Sequence, residues 1–194
     1  MTKTQKTAFL SLLLNMAFCA YHIVFGLMSK SWWIFTVGVY YVILSTTRFV
    51  VLRTKKEKRS TAKFVGIMLM VLSLPLSGTV ILSFLKDRGT VFHEIVMIAI
   101  AVYAFTKITL ATVNFIKARK STSPRLITLR NISLATAFVS ILSLQRSMLV
   151  SFGEMPENSI RIMNLLTGFA VCLIVFLLGL NLVGRKRFLF AGIK

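Results

Sequence analysis

The sequence predicts an all-α integral membrane protein, a bundle of six transmembrane helices with short loops and with both termini in the cytoplasm. Hydrophobic residues make up 56% of the 194 residues and charged residues only 15%, whereas a soluble domain has about 25% charged residues. The apolar residues lie in long uninterrupted runs, which is the pattern of membrane spans. Lys and Arg cluster at alternate ends of these runs, as the positive-inside rule requires.

Six runs meet the length requirement for a membrane helix, since about 20 residues at 1.5 Å each cross a hydrocarbon core of about 30 Å. The predicted spans are 8–28, 31–52, 64–85, 95–116, 131–151 and 163–184. The segments between them are short, so we expect one membrane domain over 1–194, with any activity inside the membrane or at its edge.

The distribution of Lys and Arg determines the predicted orientation. Most of the 24 basic residues lie in the N-terminus, in the loops after spans two and four, and in the C-terminal tail. The loops on the other side hold only Lys30, Lys86, Arg88 and Arg161. We therefore expect both termini in the cytoplasm, and the short loops and basic inner face are typical of a bacterial inner-membrane protein. The net charge of +19 then serves attraction to anionic lipid headgroups rather than nucleic-acid binding.

The first span, 8–28, follows a basic start and is too long for the apolar core of a signal peptide, so we expect a retained helix. Asn15 and His22 share one face of this helix. A histidine in a span is a candidate proton relay. His22 has no carboxylate in its span, however, and a packed histidine is the simpler interpretation.

The second span opens with Trp32 and Trp33, whose indoles favour the headgroup level of the membrane. Arg48 lies near its cytoplasmic end, on the face that also carries Tyr41 and Ser45. Its guanidinium can either contribute to a site for an anion or reach the membrane surface by snorkelling.

The third span contains the sequence SLPLSG at 73–78. Pro75 removes one backbone hydrogen bond and is expected to kink the helix near its middle. Broken helices often mark substrate sites in transporters, and a plain proline kink is the simpler alternative.

The fourth span carries the most informative residue, Lys107, which lies about 15 Å along the helix from Lys117 and thus near the bilayer midplane. A lysine there costs about 2.5–3.5 kcal/mol on insertion and usually faces a bundle interior or a watery cavity. Tyr103 and Asn114 share its helical face. Because no Asp or Glu lies in any predicted span, we expect either a site for an anion or headgroup, or a lysine that neighbouring polar groups satisfy.

The fifth span has a hydroxyl-bearing residue at every third or fourth position along one face. These residues are Ser133, Thr136, Ser140, Ser143 and Ser147. Small polar residues allow close helix packing, and a pore lining is the alternative. Arg146 lies off this face and can reach the outer surface or pair with Glu154 or Glu157. The sixth span contains no charged residue.

Spans two, four and six each begin at an outer turn and end in a basic cluster, which is consistent with three repeated helical hairpins of consecutive spans. Repeats are frequent in transporters. Any six-span protein with a cytoplasmic N-terminus shows the same alternation, so both interpretations stay open.

The chain contains no HExxH, GxSxG or P-loop motif and no paired carboxylates within its spans. Its two cysteines, Cys19 and Cys172, each lie alone in an apolar run. We therefore expect that the protein is not an enzyme and holds neither a metal nor another cofactor.

The leading hypothesis is a small transporter or flippase-like carrier for an anionic or amphipathic solute. The candidate binding residues are Lys107, Tyr103, Asn114, Asn15, His22, Ser140, Pro75 and Arg48. The alternative is a non-catalytic accessory or scaffold subunit that binds other membrane proteins, a second copy of itself or anionic lipids. A carrier predicts a polar cavity that converges on Lys107, whereas a scaffold predicts a filled core and an outward face of small residues.

Overall fold

A computed structural model of the chain describes residues 16, 19–28, 30, 32–53, 59–86, 93–119, 124–152 and 156–184. These residues form six helices and no strand. The helices are α1 (Cys19–Met28), α2 (Trp32–Arg53), α3 (Arg59–Lys86), α4 (Glu94–Arg119), α5 (Pro124–Phe152) and α6 (Glu157–Gly184).

Helices α2 to α6 are each long and apolar enough to cross a membrane. This finding confirms the predicted all-helical class and indicates an integral membrane protein. α1 covers the second part of the first predicted span. Except for Met16, the residues of that span before α1, Asn15 included, lie outside the described residues.

The helices extend beyond the predicted spans at their polar ends. α5 begins at Pro124 and not at residue 131, and α4 continues to Arg119. Hydropathy marks only the apolar stretch, whereas a helix continues through flanking polar residues as long as its backbone hydrogen bonds continue. Proline is well tolerated at the start of α5 because the first N–H groups of a helix have no partner within it.

α5 lies at the centre of the bundle and α4 at its edge. In the apolar stretch of α5, 61% of the residues are buried inside the protein, whereas in that of α4 only 28% are buried. α5 contacts α2, α3, α4 and α6, and among these long helices α4 approaches the backbone of α5 alone. α3 packs chiefly against α6, and in the described residues it does not contact α4.

The contacting helices run antiparallel, so that α2, α4 and α6 share one direction and α3 and α5 the other. We call the end at which α2, α4 and α6 finish the basic end, because the basic clusters of the sequence adjoin it.

α3 and α6 cross at very short range through glycines. A Cβ placed on Gly66 would lie 2.7 Å from the carbonyl oxygen of Gly179, and a Cβ on Gly168 would lie 2.6 Å from the side chain of Val80. Such close approach is possible only because these positions carry no side chain. The α3–α6 pair is therefore held by direct backbone contact near the basic end.

α1 and α2 form an antiparallel hairpin with a similar close approach. Gly26 lies against the backbone of Phe35, and Gly38 lies against Ile23. Lys30, in the turn between the helices, has a φ of 50°, a left-handed conformation that glycine usually takes after a helix. This tight turn brings the inner face of α1 onto α2.

Candidate functional site

Polar and aromatic side chains from four helices meet in the middle of the bundle. We define the Lys107 cluster as His22 of α1, Tyr41 of α2, Tyr103 and Lys107 of α4, and Ser140 of α5. Four of them are buried and Tyr103 is partly buried. His22, Tyr103, Lys107 and Ser140 were candidate binding residues from the sequence, and the structure brings them together.

The packing of α4 on α5 explains why Lys107 points inward. The buried positions of α4 recur every three or four residues, as expected for one face of a helix. They are Met97, Ile100, Ala104, Lys107 and Ala111. Because two of these residues are alanines, α5 can approach closely on either side of Lys107.

One hydrogen bond determines the register of α4 and α5. The side-chain amide of Asn114 donates through Nδ2 to Oγ of Ser133 at 2.9 Å. Because the two helices are antiparallel, this bond brings Lys107 level with Ser140. Asn114 therefore aligns the helices and lies outside the Lys107 cluster.

The ammonium group of Lys107 lies over an aromatic ring. Its Nζ is 4.8 Å from the centroid of the Tyr103 ring, within the limit of about 6 Å for a cation–π interaction. Lys107 is only 6% exposed, and a desolvated interaction of this kind contributes about 2 kcal/mol. Tyr103 in turn meets Tyr41 edge to face, with ring centroids 5.7 Å apart.

Tyr41 is joined to α5 by a directed chain of hydrogen bonds. The Tyr41 hydroxyl oxygen lies 2.9 Å from Oγ of Ser140, and Ser140 donates its hydrogen to the Thr136 carbonyl at 2.8 Å. A serine hydroxyl has a single hydrogen to donate. Tyr41 must therefore be the donor in its contact with Ser140, so that α2 is tied to α5 beside Lys107.

Replacing Tyr41 by phenylalanine is expected to destabilise the protein by about 1 kcal/mol, since it removes a buried hydrogen bond and leaves an acceptor on Ser140 unsatisfied. The neighbouring Tyr40 provides a matched control. Its buried hydroxyl has no hydrogen-bond partner in the described part of the chain. Tyr40→Phe is expected to leave stability unchanged or to raise it by about 1 kcal/mol, because an unsatisfied buried group is removed.

The free energy of unfolding of both variants in the same detergent measures this difference. Equal losses for Tyr41→Phe and Tyr40→Phe would contradict the hydrogen-bond chain, since they would show that only the loss of the hydroxyl volume matters.

His22 completes the aromatic side of the cluster. Its ring lies 5.8 Å from that of Tyr41 at an interplanar angle of 85°, and 5.6 Å from that of Tyr21. The imidazole is thus buried between aromatic rings at the edge of the site. A role in proton transfer stays a prediction.

A second cation lies beside the cluster. Arg48 of α2 is partly buried and lies within electrostatic range of Lys107, as does the Cys19 thiol of α1. In the described helices, Asp and Glu occur only at the first residues of α4 and α6, Glu94 and Glu157. No acidic side chain of these helices therefore offsets the positive charge in the middle of the bundle.

A cleft of about 460 Å³ lies between α1 and α2, next to the cluster. Its lining residues are Met16, Cys19, Ala20, Ile23, Val42, Ser45, Thr46 and Phe49. The lining is almost wholly apolar, whereas the carrier hypothesis predicted a polar cavity that converges on Lys107. We call it the lateral cleft, because exposed residues on the outside of the bundle form its rim.

The other candidate residues lie elsewhere. Pro75 is exposed on α3, which continues through it to Lys86, and the structure does not bring it to the cluster. Asn15 lies outside the described residues. Arg146 stacks over Trp33 at 4.8 Å and is buried, so it does not reach the surface as the sequence suggested. Glu154, one of its two predicted partners, lies outside the described residues.

The hydroxyl stripe of α5 is buried along its whole length. Ser133 contacts Asn114, and Thr136 and Ser140 donate to carbonyls of their own helix. These contacts favour the packing seam over the pore lining.

From the sequence, Tyr41 and Ser45 were named only as neighbours of Arg48, and Cys19 only as a lone cysteine in an apolar run. The pairing of Tyr41 with Ser140 joins residues far apart in the chain, so no local pattern could have indicated it. The spacing of Ser45 from Arg48 was the one available signal, since both lie on one face of α2.

Comparison with family models, with curated proteins and with solved structures finds no match for this chain. No group of three or more His, Cys, Asp or Glu side chains gathers within the described ranges to hold a metal ion. The Lys107 cluster is therefore the feature of the described residues from which a function can be inferred.

Proposed function

We propose that the protein is a non-catalytic membrane carrier for an anionic or amphipathic solute, which binds between Lys107 and Arg48. The observation that carries this proposal is the burial of a cationic side chain, Lys107, in the middle of the bundle, with the partly buried Arg48 two helical turns from Tyr41 on α2. Ionisable residues inside a membrane usually mark a ligand or ion pathway. An anion bound there would offset the repulsion between the two cations and would gain charge-assisted hydrogen bonds.

The contact between α2 and α4 suits a moving part. The rings of Tyr41 and Tyr103 contact each other, and within the described ranges the backbones of the two helices do not approach closely. Side-chain contacts of this kind can separate without breaking a helix, and opening at one end or the other would give alternating access. Such a cycle needs no nucleotide hydrolysis by the protein itself.

A third cation extends the proposed path toward the end opposite the basic end. Arg146 of α5 lies over Trp33 of α2, beyond Tyr41 as seen from Arg48. The three cations thus lie at successive levels along the bundle axis, in the order Arg146 on α5, Lys107 on α4 and Arg48 on α2. A solute anion would meet a cation at each level.

The proposal includes the orientation that the positive-inside rule predicts, with both termini and the basic end in the cytoplasm of a bacterial cell. Anionic headgroups would then lie against the basic end and beside Arg48. The proposed carrier does not depend on a repeat of three hairpins. In the described residues α3 packs against α6 rather than against α4, its partner in the predicted second hairpin.

The alternative of a scaffold subunit would need an outward face of small residues. In the described helices, the glycines with close neighbours meet other helices of the same bundle, as Gly66 and Gly168 do. Close-approach surfaces are thus used within the protein, and this observation favours the carrier.

The first test is thermal unfolding of the purified protein in detergent with a panel of short-chain organic anions and with cationic analogues of the same length. A ligand of the folded state raises stability by about 2.7 kcal/mol at a hundredfold excess over its Kd. We expect stabilisation by anions and not by the cations. Equal responses to both charges, or no response to any anion, would contradict the proposal.

Arg48→Met is expected to weaken the affinity for a stabilising anion about tenfold, which corresponds to the loss of one charge-assisted contact. Arg53→Met, at the exposed end of the same helix, is the matched control and should leave the affinity nearly unchanged. Equal effects of the two substitutions would indicate general charge attraction and would remove Arg48 from the site.

A further inference from the structure

The lateral cleft has a buried floor and an exposed rim. Cys19 and Ser45 form the floor, with 4% and 5% of their surfaces exposed. Met16, Val42 and Phe49 at the rim are 59%, 40% and 42% exposed. The cleft therefore opens sideways, on the surface that a transmembrane protein presents to lipid chains, and a molecule could enter it without leaving the bilayer.

A hydroxyl group on the floor of the cleft lacks the usual helical partner. Thr46 and Thr47 each donate to the carbonyl four residues earlier, at 2.9 and 2.7 Å. Ser45 directly precedes these two threonines in α2. Its buried Oγ, however, has no hydrogen-bond partner among the described residues. Buried polar atoms usually have a partner, so the α1–α2 contact at Ser45 lacks the polar satisfaction that Thr46 and Thr47 have.

The cleft and Arg48 are adjacent. Ser45, Thr46 and Phe49 of α2 line the cleft, and Ser45 is one helical turn from Arg48 on the same face of the helix. An apolar volume of about 460 Å³ thus ends at positive charge. This volume lies within the range of about 300–1,000 Å³ that is typical of small-molecule sites.

We infer that the lateral cleft holds an acyl chain of an anionic membrane lipid, whose headgroup reaches Arg48 from the leaflet at the basic end. The inference rests on the proposed function and names its substrate class. The apolar lining matches a hydrocarbon chain, and Arg48, toward the basic end, matches an anionic headgroup. A small water-soluble anion would use the cations but not the cleft.

Photolabelling in vesicles tests this assignment. The protein is reconstituted in phosphatidylcholine vesicles that contain a small fraction of a photoreactive lipid with a diazirine in its acyl chain. This probe is phosphatidylglycerol in one sample and phosphatidylcholine in the other. After illumination, mass spectrometry measures the label in segments 16–23 and 42–49. We expect about tenfold more label there from the phosphatidylglycerol probe, as one lost charge-assisted contact would change affinity by this factor.

Two substitutions on lipid-exposed threonines separate the cleft from the general lipid surface. Thr46→Phe fills the rim of the cleft, and we expect it to abolish the preferential label. Thr109→Phe is the matched control, because Thr109 is also exposed and its hydroxyl also donates to the carbonyl four residues earlier, at 2.9 Å. It should leave the label unchanged. Arg48→Met should reduce labelling by phosphatidylglycerol to the phosphatidylcholine level.

The outcomes distinguish this inference from the proposed function. Equal labelling by the two lipids, unaffected by Thr46→Phe, would overturn the lipid assignment. If short-chain anions still stabilised the protein in that case, the carrier proposal would stand with a water-soluble substrate. If they did not, both proposals would fail.

Discussion

Replacing Lys107 by methionine is expected to abolish stabilisation by anions while leaving the unliganded protein about as stable as wild type, or more stable by about 1 kcal/mol. Methionine fills a similar volume without a charge that is costly to insert, by about 2.5–3.5 kcal/mol, at the membrane centre. The lost cation–π contact with Tyr103, which contributes about 2 kcal/mol, offsets most of that gain. Thermal unfolding with and without a saturating anion measures both effects.

Lys63→Met is the matched control, because Lys63 is exposed near the start of α3. It should retain the full response to the anion. Two results would contradict the account: a Lys107→Met protein that responds to anions as wild type does, or one that loses several kcal/mol without ligand. The second result would mean that Lys107 serves the fold rather than a ligand.

Replacing Gly66 by alanine is expected to destabilise the protein by about 1–3 kcal/mol, the usual range for overpacking. The new Cβ would lie 2.7 Å from the backbone oxygen of Gly179 and close to side chains of Val183 and Leu182. A backbone oxygen cannot rotate away, so α3 and α6 must separate. The free energy of unfolding in detergent is the measurement.

Gly78→Ala, in the same helix, is the matched control with the opposite expected sign. Apart from the adjoining backbone of α3, no atom of the described residues lies within 4 Å of a Cβ at this position, and alanine favours a helix over glycine by up to about 1 kcal/mol. We expect unchanged or slightly raised stability. If both variants lost stability equally, the close crossing of α3 and α6 would be wrong.

The membrane spans could be predicted from the sequence because their signal is local. Length and hydropathy of each run are sufficient, and the structure has a helix at each of α2 to α6. The predicted ends were less accurate, as at Pro124, because a helix continues past the apolar stretch. The order of packing could not be predicted, since the contact of α3 with α6 depends on glycines far apart in the chain.

The candidate site could be predicted in part for the same reason. Lys107 and Tyr103 lie one turn apart, so helical periodicity alone places them together. His22 and Ser140 were named for their chemistry, and tertiary packing brings them to the same place. Asn114 shares the face of Lys107 but lies two helical turns away from it, and there it contacts Ser133 rather than the Lys107 cluster.

Pro75 illustrates the opposite case. A proline in the middle of a span suggests a broken helix beside a substrate, but α3 continues through Pro75 and exposes it. Pro75 removes only the backbone hydrogen bond to the carbonyl of Val71, four residues earlier, and the remaining backbone bonds keep α3 helical to Lys86.

Uptake of a stabilising anion into proteoliposomes that contain either wild-type protein or Lys107→Met decides whether the protein is a carrier. The comparison is meaningful because the variant is expected to remain folded. We expect saturable uptake by wild type and, for the variant, only the background rate of empty liposomes. Equal uptake by both proteins, or wild-type uptake no faster than that of empty liposomes, would contradict a carrier that binds its solute at Lys107.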